Sequence, residues 1–261
     1  MNQSVLKALS LLTLFSEGET DLTLSELAER SKLPKPTVFR LLSSLEHMGF
    51  VSKSKYSDQD VRYRLGLKLL ELGGIVADQL ELRHIALPFM KKLQSDINET
   101  VHLVIREGNE AIYIEKVESN HALRLYTRVG RRSQLSLGSG PQLLLAFLPK
   151  TDQEKIISQM SFRKFTENTI LSKDELMKKI EIIRKQGFSL SYGEQDEGTL
   201  GISYPVYNRN AEVVAALSVS GPVSRLSGSH REYAQLKTEE VAKDISLELG
   251  YIQKQHSVNP V

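Results

Sequence analysis

The sequence predicts an α+β chain of two domains: a winged helix-turn-helix over residues 1–65 and a mixed sheet domain over 81–252, with a linker helix over 66–80 between them. Three observations predict it. Apolar residues at helical spacing, interrupted by a tight turn, fill the first 48 residues; a basic pair of strands follows; and near residue 100 the apolar period changes from 3.6 to 2.

Val5, Leu6, Leu9, Leu12 and Phe15 recur at helical spacing and predict a buried amphipathic helix. No basic opening or small-residue cleavage site accompanies them, so they do not read as a secretory leader, and a cytoplasmic protein is expected. Gly18 and Asp21 break the pattern. Thr23 then stands as an N-cap with Glu26 three residues on, the spacing at which hydroxyl and carboxylate each satisfy a backbone N–H, so a second helix is expected from Leu24 to about Arg30. After the connector Ser31-Lys32-Leu33-Pro34, a third helix is expected from Lys35 to Met48. Pro36 is tolerated in its first turn, where a missing N–H has no intrahelical partner to lose.

On this third helix Val38, Leu41, Leu42, Leu45 and Met48 share a face expected to be buried, while Lys35, Thr37, Arg40 and Ser44 look outward. Phe39 lies off the apolar face and reads equally as a core residue or as a contact to a thymine methyl. Gly49 stops the helix. Phe50–Ser52 and Arg62–Leu65 read as two strands around a polar tip, Ser54 to Asp60, which makes a wing.

Charge distribution supports a nucleic-acid partner that the net charge of +2 conceals. Residues 1–29 carry Lys7 against five acids, a net of −4, whereas residues 30–64 carry eight cations against three acids, a net of +5. A helix-turn-helix pattern alone is weak, since many proteins pack two helices across a turn. Joined to a basic wing and an outward polar face at the start of the third helix, it points to double-stranded DNA. There a helix enters the major groove while backbone N–H groups and wing cations hold phosphate. The candidate contacts are Thr23, Ser25, Lys35, Pro36, Thr37, Phe39, Arg40, Lys53, Lys55, Arg62 and Arg64.

Other classes of chemistry find little support. With no cysteine in the chain, disulfides, thiolate nucleophiles and most structural zinc sites are excluded. The six histidines lack metal-pair spacing, so no metal or cofactor is expected and each reads as a surface or core residue. No apolar run is long enough to span a membrane. Gly138-Ser139-Gly140 lacks the third glycine of a dinucleotide fingerprint, and neither a Walker loop nor a nucleophile elbow occurs, so an enzyme is not expected.

From Gly66 to about Gln79 the chain is apolar at helical spacing, weakened by Gly73-Gly74; it reads as a linker helix seeking a second subunit, or alternatively as a further core helix. An amphipathic helix follows from Arg83 to Asp96, with Pro88 inside it. Val101–Arg106, Ala111–Val117 and Leu123–Arg128 read as a hairpin plus a third strand. Helices at about 140–148, 152–160 and 172–186, a strand near 188–192, strands Ile202–Tyr207 and Val213–Ser220, and a last helix near 229–249 complete the domain.

Several stretches resemble the IclR family of bacterial transcriptional regulators, in the family's order and spacing. They include Leu24–Ala28, Leu33–Leu42, Tyr63–Gly66, Glu99–Leu103, Val129–Arg132, Gln186–Phe188 and Val213–Pro222. The resemblance implies a winged DNA-binding domain, a helical linker used in dimerisation, and a GAF/PAS-like effector-binding domain, assembled as a homodimer or homotetramer. It also implies a small-molecule effector, an organic acid or aromatic compound, held by Leu125, Ser139, Gly140, Ser191, Gly201, Ser218 and Ser220. Ser139 and Gly140 would offer N–H groups at a helix start to an organic anion, and Ser218 with Ser220 would add two hydroxyls from one strand face.

The chain departs from the family pattern in four places. Gln142 stands for the usual lysine, Pro141 for a glycine, Ser191 for an acid and Gly201 for a frequent cysteine, which implies a roomier, less charged pocket. Ser218 and Ser220 read alternatively as small residues of a packed strand. The expected function is a repressor of a metabolic operon modulated by an effector; the alternative is a DNA-binding regulator whose second domain only oligomerises.

Overall fold

A computed structural model describes residues 2–16, 18–55, 60–78, 81–123, 125 and 127–252, with the backbone alone for 55, 77 and 78. The chain divides into two compact units, residues 1–79 and 80–261.

The first unit contains α1 (Gln3–Leu12), β1 (Leu22–Thr23), α2 (Leu24–Ser31), α3 (Lys35–His47), β2 (Val51–Lys55), β3 (Val61–Leu65) and α4 (Lys68–Asp78). The capping box forms: Thr23 Oγ1 accepts from the Glu26 N–H at 3.3 Å, and Glu26 Oε2 accepts from the Thr23 N–H at 2.7 Å. One core gathers Leu11, Leu22, Leu27, Val38, Leu42, Leu45, Val51 and Tyr63. Two expectations are corrected. Val5, Leu6 and Leu9 on α1 are exposed, because Leu11, with Ala8 and Leu12, supplies its inward face. Met48 is exposed as well, since α3 ends at His47 and the chain turns away through Gly49 at φ +77°.

The sheet has three strands, ordered β1-β3-β2, because Leu22 and Thr23 pair with Tyr63 and Arg62. A two-residue strand that doubles as a helix cap leaves no periodic signal. Ser54 and Lys55 extend β2, so that end of the expected tip is strand, and its residues 56–59 lie outside the described residues. Gly66 packs against the backbone: its N–H donates to the Phe50 carbonyl at 2.8 Å, and an added Cβ would sit 2.0 Å from the Gly49 oxygen. Leu67, Leu70, Ile75 and Val76, at the start of and along α4, are exposed.

The second unit runs α5 (Glu81–Ile97), β4 (Thr100–Glu107), β5 (Glu110–Val117), β6 (Arg132–Gln134), α6 (Ser139–Ala146), α7 (Lys150–Gln159), α8 (Lys173–Gln186), β7 (Ser189–Tyr192), β8 (Thr199–Tyr207), β9 (Val213–Pro222) and α9 (Gly228–Glu248). Its antiparallel sheet has the order β6-β5-β4-β9-β8-β7. The third expected strand is corrected: the described residues of 123–128 lie outside any strand, Arg124 and Tyr126 are not described, and the edge beyond β5 is β6, which starts nine residues after Leu123. Leu125 therefore does not sit on a strand.

Period-2 alternation separates two cores. Val101, Leu103, Leu200, Ile202, Leu217 and Val219 meet Met90 and Leu93 of α5 and Val241 and Ile245 of α9. Val104 and Ala216, of opposite parity, join Leu143 to Ala146 of α6, with Ile156, Ile157 and Ile180. Along the strands, the α6 side also carries His102, Ser218, Ser220, Gly201 and Ser203. All of that polar row but Ser203 line a cavity.

Among the described residues no helix is long and apolar enough to cross a membrane, and no cluster of His, Cys, Asp or Glu could hold a metal ion.

Candidate functional site

On the first unit, α3 exposes Lys35, Pro36, Phe39 and Arg40 at its start, while Thr37 is half-buried. Among the described residues no side chain caps α3, whose N-cap is Pro34; Pro36 has no N–H, and the Thr37 N–H donates to the Pro34 carbonyl at 2.9 Å. Phe39 is 48% exposed, which removes the core reading, and the Lys53 ammonium lies 5.7 Å from its ring. Lys53 also sits 5.5 Å from the Tyr63 ring and 3.8 Å from Glu46, which holds the ammonium beside α3.

The remaining predicted contacts divide. Ser25 is exposed, whereas the Thr23 hydroxyl is engaged by Glu26. Arg62 pairs with Asp60 at 3.0 Å, and Arg64 forms a two-point pair with Asp21. The Arg64–Asp21 pair ties β3 to the segment before β1, and the Lys55 side chain lies outside the described residues.

On the second unit, all seven residues proposed for an effector line one cavity of about 340 Å³. Ser203, fully buried behind the lining, donates to Ser139 Oγ at 2.8 Å and lies 2.7 Å from Ser218 Oγ. Small residues make room for this chain of hydroxyls. A methyl on Gly140 would overlap Ser218 Oγ, and one on Gly201 would overlap Ser139 Oγ.

Sequence reasoning missed several groups that the fold brings here. His102, 2% exposed, lines the cavity; its Nε2 lies 3.0 Å from Ser220 Oγ, and its Nδ1 has no hydrogen-bond partner among the described residues. Burial, then the positive Lys116 and Arg131, depress its pKa to about 3, so the ring is neutral at physiological pH. The Tyr113 ring meets it edge-on at 5.5 Å, and burial raises that phenol's pKa. Strand alternation was a usable signal for His102, whose parity sets it apart from Val101 and Leu103.

Glu194 carried no signal, since it reaches the cavity from a loop after β7. Its carboxylate accepts from the Gly138 N–H at 3.3 Å and from the Gln142 amide, and lies 3.8 Å from the Lys179 ammonium. Burial raises its pKa, opposed by Lys179, the Gly138 N–H, Ser191 and Gln142. The chain's own carboxylate thus lies beside the N-cap of α6, on the Gly138 N–H.

A winged helix-turn-helix with an exposed recognition helix, carried on the same chain as an α+β unit with a polar cavity, defines a DNA-binding transcriptional regulator. Residues 4–55 match the IclR helix-turn-helix domain, and residues 75–247 match the bacterial transcriptional regulator IclR C-terminal domain. The chain belongs to the IclR family of HTH-type transcriptional regulators. It is 39% identical over 250 residues to the regulator KipR of Bacillus subtilis, covering 96% of this chain and 98% of that protein. The crystal structure of Thermotoga maritima IclR superposes with a TM-score of 0.77 at 28% identity, covering 96% of this chain and 100% of that one. An IclR homolog from Microbacterium hydrocarbonoxydans, solved with 4-hydroxybenzoate, shares the fold at a TM-score of 0.80 and 24% identity, over 95% of this chain and 99% of that one.

Proposed function

We propose that the protein is a cytoplasmic repressor of a metabolic operon that binds a double-stranded operator as a homodimer or homotetramer and is modulated by a small molecule bound in the second unit. The division of labour is 1–65 for DNA, 66–80 for dimerisation and 81–252 for effector binding and oligomerisation. One observation carries the effector reading: residues from six separated stretches converge on one cavity that also holds a buried histidine nitrogen without a hydrogen-bond partner among the described residues. Dimerisation is supported by the exposed apolar residues of α1 and of the 67–76 stretch, which a second copy would cover.

Lys35 and Arg40 would enter the major groove, Arg40 at base edges and Lys35 at phosphate, with Phe39 against a thymine methyl. Thr23, Ser25, Pro36, Thr37 and the wing cations Lys53, Lys55, Arg62 and Arg64 would complete the contact surface. Effector binding would shift the population of dimers whose half-site spacing matches the operator. The test titrates the DNA upstream of the protein's own gene with the full chain, with and without compounds that raise its melting temperature in a panel of organic acids and aromatic metabolites. A compound that stabilises the protein and changes operator affinity is the expected result. Stabilisation without a change in affinity would remove the switch, and no stabilisation by any compound would favour pure oligomerisation.

A further inference from the structure

A second cavity, of about 590 Å³, lies at the edge of the six-stranded sheet and shares no lining residue with the first. It opens because β7 is shorter than β8. Their pairing begins at Ser189 opposite Ser203, so Tyr204 to Tyr207 run on without a partner strand on that side among the described residues. Two helix ends bring aromatic rings to the gap. After α8, Gly187 at φ +83° lets the chain reverse, and Phe188 stacks on Tyr204 with ring centres 5.4 Å apart. After α9, Gly250 at φ +81° does the same; the Tyr251 N–H donates to the Ser246 carbonyl at 2.9 Å, and the Tyr251 ring stacks on Tyr207 at 4.9 Å.

The charges of this cavity cancel. Glu239 and Lys243, one turn apart on α9, pair at 2.5 Å, and they are the only charged residues among the described ones that line it. Gln235 and Glu239 flank the Tyr204 hydroxyl. Phe188, Tyr207 and Tyr251 are only half-buried, which leaves ring surface beside a concave space. A flat partner gives such rings stacking and dispersion contacts that water does not supply. A peptide strand is the poorer occupant. Pro205 has no N–H, and that of Tyr207 is already given to Ser246 Oγ at 2.9 Å, so strand addition finds no donor at either position.

We propose that this cavity is a second small-molecule site, which takes an uncharged aromatic compound of one or two fused rings bearing a hydroxyl. The rings stack beside Phe188, Tyr207 and Tyr251, and the hydroxyl bonds with Gln235 or Glu239. A ligand carboxylate or ammonium would have to compete with the Glu239–Lys243 pair for its partner. The site stands apart from the effector reading of the first cavity.

The test titrates 2-naphthol into the full chain by calorimetry, on wild type, Tyr251→Ala and Leu247→Trp. The wild type should bind it saturably. Tyr251→Ala, which removes half of one stacked pair, should bind about tenfold more weakly. Leu247→Trp, which adds an indole to the lining from a position 59% exposed, should abolish that binding. No binding by the wild type, or binding that neither variant weakens, would overturn the site. Because Leu247 is exposed, its variant keeps the test decisive if Tyr251→Ala fails to fold. The part of the binding that Leu247→Trp removes should be about tenfold weaker for 2-naphthoate than for 2-naphthol, and equal binding would overturn the preference for an uncharged ligand.

Discussion

The two units place function at opposite ends of the burial scale. In the first, Lys35, Pro36, Phe39 and Arg40 stand exposed on α3 while its other face, Val38, Leu41, Leu42 and Leu45, closes the core. In the second, Ser139, Ser191, Ser218 and His102 are buried, and the hydroxyls that line the cavity also tie α6 to the sheet. DNA is a large external surface, so its reader can hold stability and recognition on different faces of one helix. A small molecule must be enclosed, so its site is made of the same groups that hold the domain together. Substitutions should therefore separate binding from stability in the first unit and move both together in the second.

The largest effect tests the exception in the winged unit. Gly66→Ala forces a methyl against the Gly49 carbonyl, so the backbone joining β3 to α4 must shift; a loss of about 3 kcal/mol is expected in the first unit's thermal transition. An unchanged transition would show that this junction yields easily.

Arg40→Ala should weaken operator binding by about 10- to 100-fold and relax base preference while leaving the melting temperature in place. A drop in melting temperature comparable to the loss of binding would break the separation on which the comparison rests. On the cavity side, Ser203→Ala strips Ser139 and Ser218 of a shared partner and should cost about 1–2 kcal/mol in the second unit, measured by chemical denaturation. If ligand-free operator affinity nevertheless stays at the wild-type level, the cost is confined to the cavity unit.

The last effect is graded by pH. The pKa of His102 is depressed to about 3 in the folded chain against 6.5 for an ordinary histidine, so the unfolded state takes up the proton first. The stability that His102 contributes is complete above pH 6.5 and is lost as pH falls toward 3, at up to about 1.4 kcal/mol per pH unit. Glu194, whose pKa burial raises, acts in the opposite sense, losing stability as pH rises through its folded value. Comparing His102→Asn with the wild type across this window isolates the histidine, and equal slopes would place the ring in water rather than in the cavity floor.

Much of the winged unit was legible because its determinants are local. The capping box is complete within four residues, and the buried stripe of α3 repeats within a turn or two. Where that reading erred, at Val5, Leu6, Leu9 and Met48, apolar character was taken for burial; the exposed α1 stripe bears on an unpartnered surface that one chain cannot cover. The cavity was legible only in part, through a resemblance that supplied seven of its residues.

By itself the sequence determined the order of elements apart from β1 and the edge strand β6, the helix boundaries to within a few residues, and the two-faced parity of the strands, since periodicity, caps and turn residues act over short stretches. Tertiary structure alone decided that Arg64 binds Asp21, that His102 meets Ser220 across 118 positions, and that Glu194 reaches the start of α6 from 52 positions beyond Gln142. Strand pairing and loop closure bring such residues together, and no local pattern records which pairings will form. For that reason the DNA-reading helix could be drawn from its own residues, while the lining of the cavity came together only in the fold.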